Sequence, residues 1–430
     1  MTDKNAQIGT AVLISHHFPP ANIISSQRAM RMAATLLHKF ESVYVVTFPT
    51  LDLPDELIDM DFGKELLKNP RLKLVTASPI LTGYGVVKKT NLFHRLIGAF
   101  LTRLLCSSGI DWIPSLKEAL LIIIKQNNVK LIISTGGPFI PFYTVTKLAA
   151  KNNIPSIIDY RDLWSQNPHA PYLRLARYFI RSTLENYVNK LATVVTTVSE
   201  GCAKSILEGQ PTAKVEVLLN LPDKSYREKF LKSASCSMSN VYDYNKLNIV
   251  LAGSVYHKCT CRLLVQALKA MPKEWRSRVT LHYFGPTNKI VDHDFRSQGM
   301  LNNLIDHGFV NKLEAIQAVK KADLLLSLVF DRPINKQNPV YGLMTTKVFD
   351  YFLSGRPIIN IGPLGADLNL FAEKIGYTEF HSFEYFQVHE LAEFLSKALH
   401  DLTNFRKRNV SVEIPDFSDS FELILNNILH

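Results

Sequence analysis

Cysteine is scarce, with five residues in 430, and none of the spacings fits a zinc site or a redox pair; Cys259-Thr-Cys261 is one residue too tight. That usage excludes a disulfide-framed scaffold and points to reduced thiols in a cytosolic protein. Long apolar runs are missing too. The densest, Ala119-Leu-Leu-Ile-Ile-Ile124 between Lys117 and Lys125, falls well short of the ~18 residues that mark a membrane-crossing helix. The opening MTDKNAQIGTAVLISHHFPP has an apolar stretch too short for a signal peptide and broken by two histidines. No GxxxxGK[ST] loop is present and no GxGxxG follows the first strand, so ATPase and dehydrogenase chemistry lose their main support. Acidic residues are absent between Arg71 and Ile110, where six basic ones stand. There is no internal repeat and no low-complexity tract.

The composition that is present, 47% hydrophobic, 20% charged and 10% aromatic, is that of a globular protein of two or three domains. The net charge of +11 is uneven, since residues 1–220 carry 24 Lys and Arg against 16 Asp and Glu. Such a surplus attracts nucleic acid, phosphorylated substrates or an anionic membrane, and charge alone does not choose among them.

Short runs rich in Val and Ile alternate with helical patterns. Strands are expected at Thr10–Ser15, Ser42–Thr47, Leu72–Thr76, Val129–Ser134, Pro155–Asp159 and Thr193–Thr197, with crossover helices such as Gln27–Lys39, Ser115–Gln126 and Phe142–Asn152. The pattern weakens from Glu208 to Lys246 and resumes with strands Leu247–Ala252, Val279–Phe284, Asp323–Val329 and Pro357–Ile361. This alternation predicts an α/β chain with two doubly wound parallel sheets: a first domain over 1–215, a linker over 216–245, a second domain over 246–410 and a helical tail over 411–430. Ligands of such sheets bind beyond the carboxyl ends of the strands, so the residues after each strand carry the functional expectation.

Four stretches qualify. After the first strand come His16 and His17, a Pro-Pro stop, and Ser25-Ser26 ahead of Arg28, a plausible anion or substrate loop holding His16, His17, Ser26 and Arg28. After Pro155–Ile158 comes Asp159-Tyr-Arg-Asp162, two acids around Arg161 that are costly to bury unless paired or facing a ligand. In Leu251-Ala-Gly-Ser-Val-Tyr-His-Lys258, Gly253 permits close backbone approach beside Ser254, and Lys258 could hold a phosphate. The strongest stretch is Tyr341-Gly-Leu-Met-Thr-Thr-Lys347 leading into Val348–Gly355. Thr345 is its expected N-cap, Gly342 keeps the approach open, Thr346 and Lys347 face a diphosphate, and Asp350 stands about one turn (~5 Å) further on, near a ribose. Asp292-His-Asp294 matches a metal-binding acid pair but is expected in a solvated loop, so no metal is assigned.

The stretches HHFPPANIISSQR, STGGPFIP, IPSIIDYRDLW, VVTTVSEG, LLNLPD, LAGSVYHK and TTKVFDYFLSGRPII fall in the order found in the GT-B glycosyltransferases of family 4, which the chain resembles over nearly its whole length. The likeness is greatest to bacterial members that build surface polysaccharides on lipid-linked acceptors. It implies two Rossmann-like domains facing across a cleft, a nucleotide diphosphate sugar (UDP- or GDP-linked) held by the second, an acceptor held by the first, and a last helix returning to the first domain. It also implies retention of configuration, no metal, no further cofactor and no nucleic-acid partner. By position, Lys258 stands for the cation on the donor diphosphate, Asp350 for the ribose-binding acid, and Arg161 with Asp162 for residues near the reacting sugar. Two positions depart from the family. Gly342 replaces an acid that contacts the donor sugar, and Ser254 replaces an arginine. A nucleotide-sugar epimerase of the same fold and a catalytically inactive scaffold in polysaccharide assembly are the alternatives.

Leu92, Phe93, Leu96, Ile97, Phe100, Leu101, Leu104 and Leu105 form an apolar helical stripe set among Lys88, Lys89, Arg95 and Arg103. The stripe either packs on its own domain or lies on an anionic membrane, with Phe93, Ile97 and Phe100 inserting. The expected location is the cytoplasm, peripheral on the inner face of the plasma membrane.

Overall fold

A computed structural model describes residues 7–49, 53, 55–79, 92–167, 172–233, 241–255, 260–287, 289–329 and 344–429. The chain divides into two compact units, Met1–Asn220 with Phe417–His430, and Leu221–Asp416.

The first unit is built on seven parallel strands: β1 (Thr10–Ser15), β2 (Ser42–Thr47), β3 (Leu72–Thr76), β4 (Val129–Thr135), β5 (Ser156–Tyr160), β6 (Val194–Thr197) and β7 (Val215–Val217). They run in the order β3-β2-β1-β4-β5-β6-β7, with Val12 of β1 registering on Tyr44 to one side and Ile132 to the other. Every residue of β1 and β5 is buried, because helices cover both faces of an all-parallel sheet. Those used below are α1 (Ile24–Lys39), α2 (Leu92–Leu105), α3 (Ile113–Gln126), α4 (Pro141–Lys151) and α5 (Arg174–Ile180). The order reverses between β1 and β4, which is where a doubly wound sheet opens a crevice beyond its strand ends.

In the second unit the strands β8 (Leu247–Ala252), β9 (Val279–Phe284), β10 (Leu304–Asp306), β11 (Leu324–Leu328), β12 (Ile358–Ile361) and β13 (Phe380–Phe383) run in the order β10-β9-β8-β11-β12-β13, again all parallel. Here the order reverses between β8 and β11. The helices needed are α6 (Lys224–Lys232), α7 (Arg262–Ala270), α8 (Lys289–Ser297), α9 (Lys312–Lys321), α10 (Lys347–Ser354) and α11 (Val388–His400). A final helix, α12 (Phe417–Leu429), packs on α1 in the first unit, burying Phe417, Phe421 and Leu425 completely. The guanidinium of Arg28 lies 5.4 Å from the Phe417 ring centroid.

Three edge strands escaped the sequence pattern, and two local expectations are corrected. The edge strands β7, β10 and β13 carry no apolar run, since they are three or four residues long and largely half-exposed or exposed, below the length at which a period shows. Helix α1 opens at Ile24 rather than at Gln27, without a side-chain cap, so Ser25 and Ser26 sit in its first turn. Asp292 and Asp294 lie on α8 and not in a loop. Val291, Asp294 and Phe295 share its buried face, where Asp294 accepts the Cys261 N–H (2.8 Å) beside the start of α7, while Asp292 pairs with Arg296 on the outside. A buried acid on the inner face is what broke the apolar pattern there. Within the segment read as a linker, residues 224–232 form α6, capped by the Asp223 carboxylate on the Tyr226 N–H (2.7 Å).

Candidate functional site

In the first unit, the residues singled out at the ends of β1 and β5 serve different ends. Asp159, the fourth residue of β5, is fully buried and takes both prongs of the Arg28 guanidinium, from Nε at 2.9 Å and Nη2 at 2.6 Å. Thr196 donates to the same carboxylate (2.7 Å), as does Thr135. Burial pushes the Asp159 carboxyl up, but Arg28 and the two threonines outweigh it and hold the group below the usual aspartate range. Arg28 also donates to Asn220 Oδ1 at 2.8 Å. One of the two acids flanking Arg161 is therefore spent on Arg28, and Arg28 is 2% exposed inside the unit rather than facing a ligand.

Arg161 is left with neither. Its Nε is buried without an acceptor, and among the described residues it forms no hydrogen bond or ion pair. The guanidinium lies against Gly136, where a Cβ would fall 1.8 Å from Nε and 2.0 Å from Nη2, and where φ is +67°. The positive φ favours glycine, and a side chain there would have to displace the guanidinium. Asp162 is exposed. Ser26 is fully buried, its hydroxyl without a partner among the described residues.

His16 and His17 form a pair after β1: His16 Nδ1 to His17 Nε2 at 3.0 Å, then His17 Nδ1 to Ser25 Oγ at 3.1 Å. Burial, and then the charge of Arg161, lowers His17 to about 4; burial, then His17, then Arg161 hold His16 well below its ordinary value. Both are neutral at pH 7. A histidine held neutral by its fold refuses protons that the unfolded chain accepts near pH 6.5. Stability is thus full above that pH and declines as pH falls toward about 4. Urea unfolding at pH 7.5 and pH 4.5 should show His17→Gln losing less stability between the two than the wild type. An equal loss would mean that His17 titrates normally.

Beside the pair is a cavity of about 280 Å³, walled by Phe48, Trp112, Phe139 and Tyr172, with Ser107 and Asp111 as polar groups. It opens where β1, β2 and β4 end, at the order reversal of the sheet. His16 stacks on Phe48 (4.6 Å between centroids) and meets Trp112 edge-on (5.3 Å). Trp112 Nε1 donates to the Ala77 carbonyl (2.8 Å), and Ser107 Oγ accepts the N–H groups of Phe139 and Ile140 ahead of α4. Burial raises the Asp111 carboxyl, against hydrogen bonds from its own and the Trp112 N–H. Of these wall residues only Phe139 lies in a stretch the sequence flagged; the others come from three separate connections with no shared pattern.

In the second unit, α10 seats on the strand ends at the other reversal. Tyr351 is buried, and its hydroxyl accepts the Ala252 N–H from β8 (3.0 Å) while donating to the Leu326 carbonyl of β11 (3.2 Å). One turn earlier, Lys347 Nζ donates to the Ser254 carbonyl at 3.3 Å, and Gly253 beneath it has φ +89°. Gly253, Ser254 and Lys347, far apart in sequence, are thus one neighbourhood. The N-cap is Thr346 and not Thr345, and it makes no side-chain capping bond. The Thr345 hydroxyl is buried without a partner among the described residues. Asp350 is 14% exposed and accepts from Tyr226 Oη (2.6 Å) and Lys312 Nζ (2.5 Å), two partners that sequence reasoning missed. Lys258 and Gly342 lie outside the described residues.

On α2, Phe100 and Arg103 are exposed; Lys88 and Lys89, with the side chains of Phe93, Arg95 and Ile97, lie outside what is described. No helix among the described residues is long and apolar enough to cross a membrane, and none of their acids, histidines and cysteines cluster as metal ligands.

No family model matches the sequence, and no curated protein does. Solved structures do match over both units. Sucrose-phosphate synthase from Thermosynechococcus elongatus is 12% identical, with 99% of this chain and 95% of that one covered at a TM-score of 0.58. Anabaena HepE, solved in complex with UDP, is 12% identical at 0.56, covering 98% and 99%. WaaG, a glycosyltransferase involved in lipopolysaccharide biosynthesis, is 12% identical at 0.52, covering 97% and 95%. The two parallel sheets, each reversing order at its centre, together with these likenesses, give the chain the GT-B fold of the glycosyltransferases.

Proposed function

We propose that the chain transfers a sugar from a nucleotide diphosphate sugar to a hydroxyl of a glycan or lipid-linked acceptor in cell-surface polysaccharide synthesis, with retention of configuration and without a divalent metal. The observation that carries this reading is the placing of Lys347 on Gly253-Ser254 at the β8/β11 reversal, a glycine-floored cationic corner at the start of α10. A diphosphate there meets Lys347, and Lys258 four residues beyond Ser254, with the α10 N-terminus adding its partial positive charge. These groups, rather than Mg²⁺ or Mn²⁺, neutralise the leaving diphosphate. Asp350 holds the ribose. The acceptor belongs to the first unit, where the cavity beside His16 and His17 lies. HepE was solved with UDP, which makes UDP the first nucleotide to try.

The test is a thermal-shift panel of UDP, GDP, ADP and CMP, since a ligand at 100 times its Kd stabilises by about 2.7 kcal/mol. Failure of all four to shift the protein would leave the inactive scaffold as the better reading. Turnover is expected to survive EDTA; activity that returns only with Mn²⁺ would overturn the metal-free part. Donor incubated alone should give slow hydrolysis at most, whereas a new sugar isomer would favour the epimerase.

Membrane attachment has support that the sequence did not offer. Helix α5 packs beside α2, joined by the Leu173 N–H to the Arg103 carbonyl (3.5 Å). Together they leave Leu96 (63%), Phe100 (61%), Leu175 (80%), Tyr178 (73%) and Phe179 (62%) exposed, with Arg103 and Arg174 exposed at their side. A crowded apolar surface with basic neighbours suits an anionic bilayer, where each Lys or Arg adds up to about 1 kcal/mol. Binding to phosphatidylserine vesicles should weaken with salt, with Lys88→Glu/Lys89→Glu, and at least tenfold with Leu175→Ser/Phe179→Ser. Unchanged partition of the last variant would assign the surface to something other than lipid.

A further inference from the structure

We propose that Arg161 anchors an anionic group, a carboxylate or a phosphate, carried by the sugar ring that enters the cavity beside His16 and His17; this deepens the acceptor reading above and rests on it. Three features of the site converge. The first is an unsatisfied donor. Arg161 Nε is buried with no acceptor: Asp159 is taken up by Arg28, Thr135 and Thr196, and exposed Asp162 acts on the guanidinium through its charge but forms no hydrogen bond to it among the described residues. A half-buried guanidinium with one buried N–H left unsatisfied gains from an added acceptor, and a ligand's anion supplies one. The planar fork of a guanidinium matches a carboxylate or phosphate two oxygens at a time, which a lysine does not.

The second feature is a built cradle. Gly136 has no side chain where any Cβ would fall on the guanidinium, so the backbone at the end of β4 is shaped around Arg161. Gly137, the next residue, lines the cavity.

The third feature is the character of the cavity itself. Its aromatic walls suit the C–H faces of a sugar. At about 280 Å³ it sits just under the ~300–1,000 Å³ of most small-molecule pockets, which leaves room for one ring and not for an oligosaccharide. The histidines do not compete for the anion because both are neutral, held so by burial first, with His17 acting on His16 and Arg161 on both. Both nitrogens of His17 are engaged, by His16 and Ser25, while His16 Nε2 makes no hydrogen bond among the described residues and remains for a ring hydroxyl.

The test titrates the full-length protein with three probes, followed by tryptophan fluorescence: methyl β-glucuronide for the carboxylate, glucose 6-phosphate for the phosphate, and methyl β-glucoside as the neutral control. At least one charged probe should bind tenfold or more tightly than the glucoside, and which one does identifies the anion. Arg161→Gln should erase that preference, a loss of about 10- to 100-fold. Arg161→Lys should keep part of it, and Gly136→Ala, which leaves Arg161 in the chain but takes its space, should lose it. Melting temperatures establish that each variant folds. UDP titrated into the same variants should bind as it does to the wild type. The inference is overturned if the neutral glucoside binds as well as the charged probes, if no probe binds, or if Arg161→Gln leaves the preference intact. It is also overturned if Arg161→Gln weakens UDP instead, because Arg161 would then serve the donor. If the wild type binds no nucleotide but still prefers the charged sugar through Arg161, the transfer reading falls and the anion site stands.

Discussion

Asp159→Ala should destabilise the protein by about 3–5 kcal/mol, the cost of stranding a buried charge by removing its partner. Arg28 is 2% exposed and Asp159 fully buried, so water does not replace the lost carboxylate. Thr135 and Thr196 would lose their acceptor at the same stroke. The pair also joins β5 to α1, and through Arg28 to the Phe417 ring of α12, so the damage is spread over the first unit. Because removal of both charges leaves no orphan, Arg28→Met/Asp159→Leu should recover much of the loss, and the double-mutant cycle should show strong coupling. The pH dependence has a definite sign. The folded carboxyl titrates below its unfolded value of about 3.9, so the contribution of the pair is complete above that pH and disappears as pH falls through the lowered folded value. Urea midpoints measure all of this; a cost under about 1 kcal/mol for Asp159→Ala would mean that the pair does not hold the unit together.

That pair shows where sequence reading stops. HHFPPANIISSQR and IIDYRD were both legible as strand-end segments, because buried strands advertise themselves as Val and Ile runs. Which charge meets which was not, since Arg28 and Asp159 are 131 residues apart and two acids flank Arg161 locally. Neither flanking acid bonds Arg161 among the described residues. The same holds in the second unit. Lys347 and Asp350 stood out against a plain capped helix, but Tyr226 and Lys312 reach Asp350 from α6 and α9, over 124 and 38 residues. The apolar stripe of α2 was conspicuous because it is long. Its neighbour α5 is seven residues with two arginines and carried no signal until Leu175, Tyr178 and Phe179 were seen to be exposed. Strands and helices follow from local pattern; sites are assembled across the chain by topology.

The donor site offers the other large effect. Negative charge on the diphosphate grows as the bond to the sugar breaks, so a cation at Lys347 binds the transition state more tightly than the ground state. Lys347→Ala should therefore lower kcat by 10²–10³, about 2.7–4 kcal/mol, while the donor KM changes less. Lys258→Ala should behave alike, as the second cation on the same diphosphate. Asp350 is different in kind. Ribose hydroxyls do not change during transfer, so a carboxylate that holds them contributes equally to ground and transition states. Tyr226 and Lys312 occupy one lone pair on each Asp350 oxygen, and a carboxylate offers about four, so the ribose can still be accepted. Asp350→Ala should raise the donor KM by about 1.5–3 kcal/mol, roughly 10- to 150-fold, with kcat nearly kept. The cost to stability should be small, because Lys312 is exposed and rehydrates. Steady-state kinetics on the three variants separates the roles. Were Asp350→Ala to bind UDP as tightly as the wild type, the carboxylate would be a brace that ties α6 and α9 to α10. The diphosphate corner at Lys347 would then have to bind the nucleotide without it.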